Sequence, residues 1–255
     1  MKKLLRILGH LSAFVIISLI ASIGLSSLLR DTGWIDTTDD FGFAILNVAI
    51  SFMLLLGVTL YERLACGRLT SLGWRAAGFN PTKVLMGVIL LVASSIVTSP
   101  LAKWLDSDVR VFPDGGWTLL VAVVVAPILE ELIFRGRLYS LFRREMAPSL
   151  AVILTSVLFA AAHGSFVVAL DAFIAGVILS YFYLSSGSII LPIVLHICNN
   201  AVAYALTVLS YQGENIYDLF GSSSAFLIAY AVALVIFALG FGNIIRKFFK
   251  LDTRE

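Results

Sequence analysis

Two adjacent carboxylates follow a long uncharged stretch of the chain. Glu130 and Glu131 come directly after a run from Trp117 to Leu129 that contains no charged residue. An ionised carboxylate at bilayer depth costs roughly 2.5 kcal/mol or more, so an acidic residue there indicates a functional site. On a helix, Glu131 and Arg135 share a face and can neutralise each other. Glu130 points about 100° away from Glu131, so it needs a polar partner from elsewhere in the chain.

A second interpretation assigns the same two glutamates to the start of a cytoplasmic loop. Four arginines follow within fourteen residues and would anchor such a loop at the membrane surface. They are Arg135, Arg137, Arg143 and Arg144. The stretch taken alone supports a buried site and a loop equally, so the rest of the chain has to decide between them.

Two of the three histidines lie in apolar segments, where a histidine is costly. His163 comes four residues after Phe159, and Asn200 comes four residues after His196. The members of each pair therefore share a helix face. Taken singly, either histidine fits a structural role as well as a catalytic one. The third, His10, lies near the start of the first apolar run and is expected to be an interfacial polar residue.

Together, Glu130, His163, His196 and Asn200 form a set of the hydrolytic type. A carboxylate beside a neutral imidazole can take a proton from water and pass it on. Imidazole and carboxamide donors can stabilise the oxyanion of a tetrahedral intermediate. Glu130 with the two histidines is also the ligand set of a catalytic zinc site that keeps one position open. The residues leave the choice between a metal-free and a zinc-dependent mechanism open.

Other polar residues in the apolar segments have structural explanations. Asp171 is expected to be structural or to face water, and Asn47 and Asn199 are expected to form hydrogen bonds between helices. Cys66 and Cys198 are far apart and show neither a disulfide framework nor a metal-binding spacing. Both cysteines are therefore expected to be free thiols that fill space.

The composition is typical of a polytopic membrane protein. Of the 255 residues, 60% are hydrophobic and 13% are charged, and the mean hydropathy is +0.98. Soluble domains are nearer half apolar and a quarter charged. A membrane-spanning helix needs about 20 apolar residues, and eight candidate runs occur. They lie at roughly 8–29, 42–61, 82–102, 117–134, 148–164, 167–184, 189–208 and 224–244. We therefore predict an all-α integral membrane protein, a bundle of about eight transmembrane helices in a single membrane domain over 1–255.

The basic residues predict the orientation of these spans. All but three of the 18 lysines and arginines lie before span one, between spans two and three, after span four or after span eight. The exceptions are Arg30, Lys103 and Arg110. Both termini are therefore expected on the cytoplasmic side, with the first apolar run retained as a span in a bacterial cytoplasmic membrane. The expected partners are the bilayer and a membrane-bound substrate, and no basic patch suits nucleic acid.

Three motifs, in this order, resemble those of a known family. They are Glu-Glu-x-x-x-Arg (Glu130, Glu131, Arg135), Phe-x-x-x-His (Phe159, His163) and His-x-x-x-Asn (His196, Asn200). This pattern resembles the CPBP (Abi) family, the CAAX-processing and bacteriocin-processing intramembrane proteases. The sequence Glu-Glu-Leu-Ile-Phe-Arg-Gly around the first motif is also close to the form that is usual in this family. The resemblance covers about 117–207, a core of about four helices, with 1–116 and 208–255 as flanking helices.

The resemblance implies a role for each motif residue. Glu130 would be the base that activates water, His163 would assist it, and His196 with Asn200 would form the oxyanion site. The second glutamate and the arginine of the first motif would be a structural pair that orients it, with the phenylalanine of the second motif in support. The family is often described as metalloproteases, but a metal-free glutamate mechanism fits the same residues. Zinc held by the glutamate and the two histidines is therefore an alternative.

Three functions are consistent with these residues. The first is an intramembrane endopeptidase that cleaves a membrane-embedded or lipid-anchored protein or peptide. The second is a non-proteolytic scaffold or immunity protein that binds a peptide in its cavity. The third is a proton-coupled or ion-coupled transporter, for which the paired halves with broken helices are missing from the sequence. The presence of all three motifs favours the protease, while no residue identifies the substrate, its prenylation or the oligomeric state.

Overall fold

The structure is a computed structural model that describes residues 1–33, 36, 39–76, 79–104, 115–164, 166–210 and 223–253. All the regular secondary structure in these residues is helical, which confirms the predicted all-α class. The eight helices of the described part are α1 (Lys2–Leu29), α2 (Asp40–Cys66), α3 (Pro81–Trp104), α4 (Gly116–Arg143), α5 (Pro148–Ala161), α6 (Phe166–Ser186), α7 (Ile190–Ser210) and α8 (Ser223–Asp252).

Each helix matches one of the apolar runs predicted to span the membrane. Six of them, α1, α2, α3, α4, α6 and α8, are long and apolar enough to cross a bilayer. The apolar parts of α5 and α7, Pro148–Ala161 and Ile190–Leu206, are shorter. Helices are the expected element here because lipid cannot satisfy backbone hydrogen bonds. Asp106, Asp108, Asp114 and Ser165, which the sequence places in connections between helices, lie outside the described residues.

The chain forms two compact units, and the first consists of Met1–Trp74 and Val111–Ala147. This unit contains α1, α2 and α4. Helix α2 begins with an N-cap, since the carboxylate of Asp39 accepts a hydrogen bond from the amide of Gly42 at 2.6 Å. It ends at Gly67, whose φ of +69° is the left-handed conformation that favours glycine after a helix.

Helices α2 and α4 of the first unit run in the same direction. The carboxylate of Asp40, at the start of α2, accepts hydrogen bonds from the amides of Trp117 and Thr118, at the start of α4. Glu62, near the end of α2, forms an ion pair of 3.0 Å with Arg137, near the end of α4. The two helices are therefore joined at both ends.

Helix α4 contains two wide turns of π type, Val121–Val125 and Leu132–Leu138. They enclose the regular segment Ala126–Glu131. Pro127 explains the first wide turn, because a proline inside a helix lacks an N–H group and its ring crowds the preceding turn. The second wide turn begins directly after Glu131. Wide turns inside α-helices often occur at functional sites.

The second unit consists of Arg75–Arg110 and Pro148–Glu255 and contains α3, α5, α6, α7 and α8. Helices α5 and α6 approach closely at Gly176, where an added Cβ would lie 2.9 Å from the Cβ of Ser156. Small residues allow this kind of packing in membrane helices. Asp252, at the end of α8, accepts hydrogen bonds from the backbone and the hydroxyl of Ser149 at the start of α5.

The other polar residues in the spans form short-range or interhelical hydrogen bonds. Asp171 of α6 accepts a hydrogen bond of 2.6 Å from the hydroxyl of Thr98 in α3. Asn47 is predicted to bond between helices, but among the described residues its side-chain amide donates to the backbone oxygen of Phe43 within α2. The side-chain nitrogen of Asn199 lies 3.5 Å from its neighbour's oxygen in α7. Polar groups in lipid are thus satisfied partly within their own helix.

Candidate active site

The second glutamate of the first motif forms a buried ion pair. Oε1 of Glu131 lies 2.7 Å from Nη1 of Arg135, and the two residues are 0% and 1% exposed. This is the four-residue pair that the spacing predicts on a helix. The interpretation of the glutamates as the start of a loop is wrong, because α4 continues to Arg143.

Glu130 has a different environment from its neighbour. It is half-buried, whereas Glu131 is fully buried. The difference follows from the turn of the helix, which points adjacent side chains about 100° apart. The first motif therefore combines an inward-facing carboxylate neutralised by arginine with a second carboxylate that is more accessible.

The second motif lies at the end of α5. The helix stops at Ala161, so His163 follows it, whereas the apolar run predicted at roughly 148–164 includes this histidine. Gly164, at a φ of +71°, supplies the left-handed residue that often follows a helix end. The backbone amide of His163 donates to the oxygen of Ala160 at 2.9 Å, so the histidine continues the last turn of α5.

The ring of His163 is held by the backbone of its own motif. Its Nδ1 lies 2.7 Å from the carbonyl oxygen of Phe159. A carbonyl can only accept, so Nδ1 carries the proton and the neutral ring keeps its lone pair on Nε2. This is the tautomer that a histidine needs in order to accept a proton or to bind a metal through Nε2.

The side chain of Phe159 joins the second motif to the third. Its ring centroid lies 4.5 Å from that of His163 and 5.7 Å from that of His196, the latter in a T-shaped arrangement. Phe159 is buried, and His196 is 4% exposed. The sequence predicted the pairing of Phe159 with His163 but missed the contact with His196. Asn200 lies one turn beyond His196 in α7.

The predicted residues are divided between the two units. The first motif belongs to the first unit, and the second and third motifs belong to the second. Among the described residues of either unit, no group of three or more histidine, cysteine, aspartate or glutamate side chains could hold a metal ion. The free thiols Cys66 and Cys198 are half-buried and belong to different units.

Glu62 of α2 is a buried acid for which the sequence pattern predicts no role. Its carboxylate contacts Arg137 and Arg144, two of the four arginines that the loop interpretation used as anchors. The available signal was a glutamate close to the end of the second apolar run, with basic residues at the end of the fourth apolar run. This pattern does not predict which arginines pair with Glu62.

Known proteins share the part of the chain that carries the motifs. Residues 113–202 match the family model described as type II CAAX prenyl endopeptidase Rce1-like. An uncharacterized 24.3 kDa protein of Escherichia coli is 34% identical over 119 residues, which cover 44% of this chain and 54% of that protein. The match thus spans about half the length of this curated relative. No solved structure matches the chain significantly.

The matched segment includes all three motifs, from Glu130 to Asn200. The resemblance that the motifs predict is therefore confirmed: residues 113–202 of this integral membrane protein are similar to the type II CAAX prenyl endopeptidase Rce1-like family.

Proposed function

We propose that this protein is an intramembrane endopeptidase that hydrolyses a peptide bond in a membrane-embedded or lipid-anchored protein or peptide. The observation that carries the proposal is the arrangement around Phe159. Its backbone oxygen holds His163 in one tautomer, and its ring contacts both imidazoles. The family match covers this arrangement together with the first motif. A scaffold that only binds a peptide has no need for an imidazole with a fixed proton.

In the proposed reaction Glu130 takes a proton from water, and the resulting hydroxide attacks the scissile carbonyl carbon. His163 assists by accepting a hydrogen bond from that water at Nε2, because Nδ1 is already a donor to Phe159. His196 and Asn200 donate hydrogen bonds to the oxyanion of the tetrahedral intermediate. The proton held by Glu130 then passes to the leaving amine as the C–N bond breaks. The products are a carboxylate and an amine.

A zinc-dependent form of the same reaction uses the same side chains. Glu130, His163 and His196 would hold the ion, which when bound supplies Lewis-acid activation of water. The hydrogen bond of His163 to a backbone carbonyl also suits a metal ligand, because it orients the ring and leaves Nε2 for coordination. Retention of full turnover after exhaustive chelation, with no zinc detected by elemental analysis, would support the metal-free form.

The proposal is tested by cleavage of a membrane-peptide library with the purified protein. The library contains each peptide with and without a farnesyl group, so that it also reports on substrate class. Wild type is compared with Glu130→Gln, which removes the proton acceptor and keeps the shape. Glu145→Gln is the matched control, because Glu145 belongs to the same unit and pairs with Arg6. We expect similar amounts of product from wild type and the control, and only a low residual amount from Glu130→Gln.

Two results would contradict the proposal at different levels. Normal turnover by Glu130→Gln would show that Glu130 is not the base. Tight binding of library peptides by wild type without any cleavage would instead indicate the scaffold function.

A further inference from the structure

A buried polar cluster in the first unit lies outside the three motifs. Glu62 is 0% exposed, and its carboxylate accepts hydrogen bonds from the amide and the hydroxyl of Thr70, at 3.0 and 2.7 Å. It also accepts from Arg137 at 3.0 Å and from Arg144 at 3.2 Å. A buried carboxylate is costly unless it is paired and hydrogen-bonded. These four donors meet that requirement.

The cluster fastens a short stretch of chain to α4. We call residues 67–74, which follow α2, the strap. Nη1 of Arg137 donates to the backbone oxygen of Thr70 at 2.9 Å as well as to Glu62. The strap also packs directly on Gly136, where an added Cβ would lie 2.6 Å from the side chain of Leu72. Both contacts fall in or beside the wide turn that begins after Glu131.

Helix α2 thus holds α4 at two places. Asp40 binds the amides of Trp117 and Thr118 at one end, and Glu62 binds Arg137 at the other. The first wide turn and the two glutamates of the first motif lie between these anchors, and the second wide turn contains the anchor Arg137 itself. A wide turn interrupts the regular hydrogen-bond ladder, so it fixes the direction of nearby side chains less firmly than an α-helix does. External anchors can supply the missing restraint.

We infer that Glu62 is a positioning residue for the first motif. By holding Arg137 of the second wide turn, and the strap that packs on this turn, it sets the direction in which the Glu130 carboxylate points. The catalytic consequence rests on the proposed function, because it matters only if Glu130 is the base. The structural consequence does not depend on catalysis and is measured separately.

The structural consequence is tested by thiol labelling. The reporter is Glu130→Cys in a full-length chain that also carries Cys66→Ser and Cys198→Ser, so that one thiol reacts. The labelling rate is compared with and without Glu62→Gln, and Glu145→Gln is the control for loss of a carboxylate elsewhere in the unit. We expect Glu62→Gln to change the labelling rate and the control to leave it unchanged. An unchanged rate in folded Glu62→Gln protein would overturn the inference.

The catalytic consequence is tested in the chain with its natural Glu130. We expect Glu62→Gln to lower kcat by about 10- to 100-fold with KM unchanged, since a small misplacement of a catalytic group has effects of this size. A loss of thermal stability with normal kcat would assign Glu62 a purely structural role. If wild type cleaves nothing while Glu62→Gln still changes the labelling rate, the proposed function fails and the positioning inference stands.

A second pair of variants avoids any change to the buried charges. Gly136→Ala forces the end of the Leu72 side chain to move and so disturbs the contact of the strap with α4, and Leu72→Ala in the same chain makes room again. We expect the first variant alone to change both the labelling rate and kcat, and the double variant to restore them. Wild-type values for Gly136→Ala alone would contradict a role for the strap.

Discussion

Nδ1 of His163 donates a hydrogen bond to the backbone oxygen of Phe159, 2.7 Å away. The bond joins the first and last residues of the second motif and explains its spacing of four in chemical terms. The carbonyl of Phe159 also accepts from the amide of Ala162 at 3.2 Å, so the imidazole supplies a second donor to an oxygen that has two lone pairs. In return the ring is held with its lone pair on Nε2, as a proton acceptor or a metal ligand requires.

This bond predicts that two substitutions of His163 differ in their effects. Asparagine places an amide donor near the position of Nδ1 but has nothing in place of Nε2, whereas leucine replaces neither nitrogen. We expect His163→Asn to keep wild-type thermal stability and lose cleavage. We expect His163→Leu to lose cleavage and also about 1 kcal/mol of stability, the usual worth of a hydrogen bond. Thermal unfolding in detergent and peptide cleavage measure the two effects, and turnover by His163→Asn close to the wild-type rate would contradict the role of Nε2.

The ring of Phe159 predicts a second kinetic effect. It lies against both imidazoles, so Phe159→Leu should loosen their orientation without removing a catalytic atom. We expect kcat to fall by about tenfold or more and KM to stay the same, as for misplaced catalytic groups. Phe166→Leu is the control, because Phe166 begins α6 in the same unit and is exposed. An equal loss in both variants would attribute the effect to general packing.

The sequence predicts those parts of this structure that depend on nearby residues. Apolar runs of sufficient length became helices, and the spacing of Glu131 and Arg135 became an ion pair. It does not predict the contact of Glu62 with Arg137, which are 75 residues apart, because no local pattern names the partner of a buried charge.

Other differences have equally physical reasons. The end of α5 at Ala161 depends on the positive φ of Gly164, and glycine also occurs inside helices. The wide turns of α4 depend on how one helix relieves local crowding, which the apolar pattern does not record. Asn47 could bond within or between helices, and packing selected the former.

The buried pair in α4 predicts a double-mutant result. Glu131→Gln removes the carboxylate charge that lies 2.7 Å from the buried guanidinium of Arg135, and breaking a buried ion pair costs about 3–5 kcal/mol. Replacing both residues by apolar ones of similar size, as in Glu131→Leu with Arg135→Met, should cost less than the single change. Thermal unfolding in detergent compares the three proteins. A double variant that is less stable than the single one would show that the pair is net stabilising.

The parallel course of α2 and α4 predicts where their ends lie in the membrane. Asp40 and Trp117 lie together at the starts of these helices, and the distribution of basic residues predicts that the opposite ends lie on the cytoplasmic side. In a chain without Cys66 and Cys198, Asp39→Cys should be labelled from outside intact cells. Arg68→Cys should be labelled only after the membrane is opened. Asp114 and Gln212, which lie outside the described residues, are expected to behave like Asp39. The reverse pattern would overturn the orientation.

The proposed mechanism predicts that Glu130 and His163 contribute to the same step of the reaction. If Glu130 takes the proton of a water that His163 also holds, removing either residue removes the same event. Groups that act together show strongly non-additive losses, so the double variant should be scarcely worse than the single ones. We expect Glu130→Gln, His163→Asn and the double variant to share one low residual kcat/KM. The peptide-cleavage assay described above measures kcat/KM for all three variants. Glu130→Gln combined with Phe166→Leu is the control, because the losses from two residues that act separately should multiply. Losses for Glu130→Gln and His163→Asn that multiply in the double variant would show that the two residues act in separate steps.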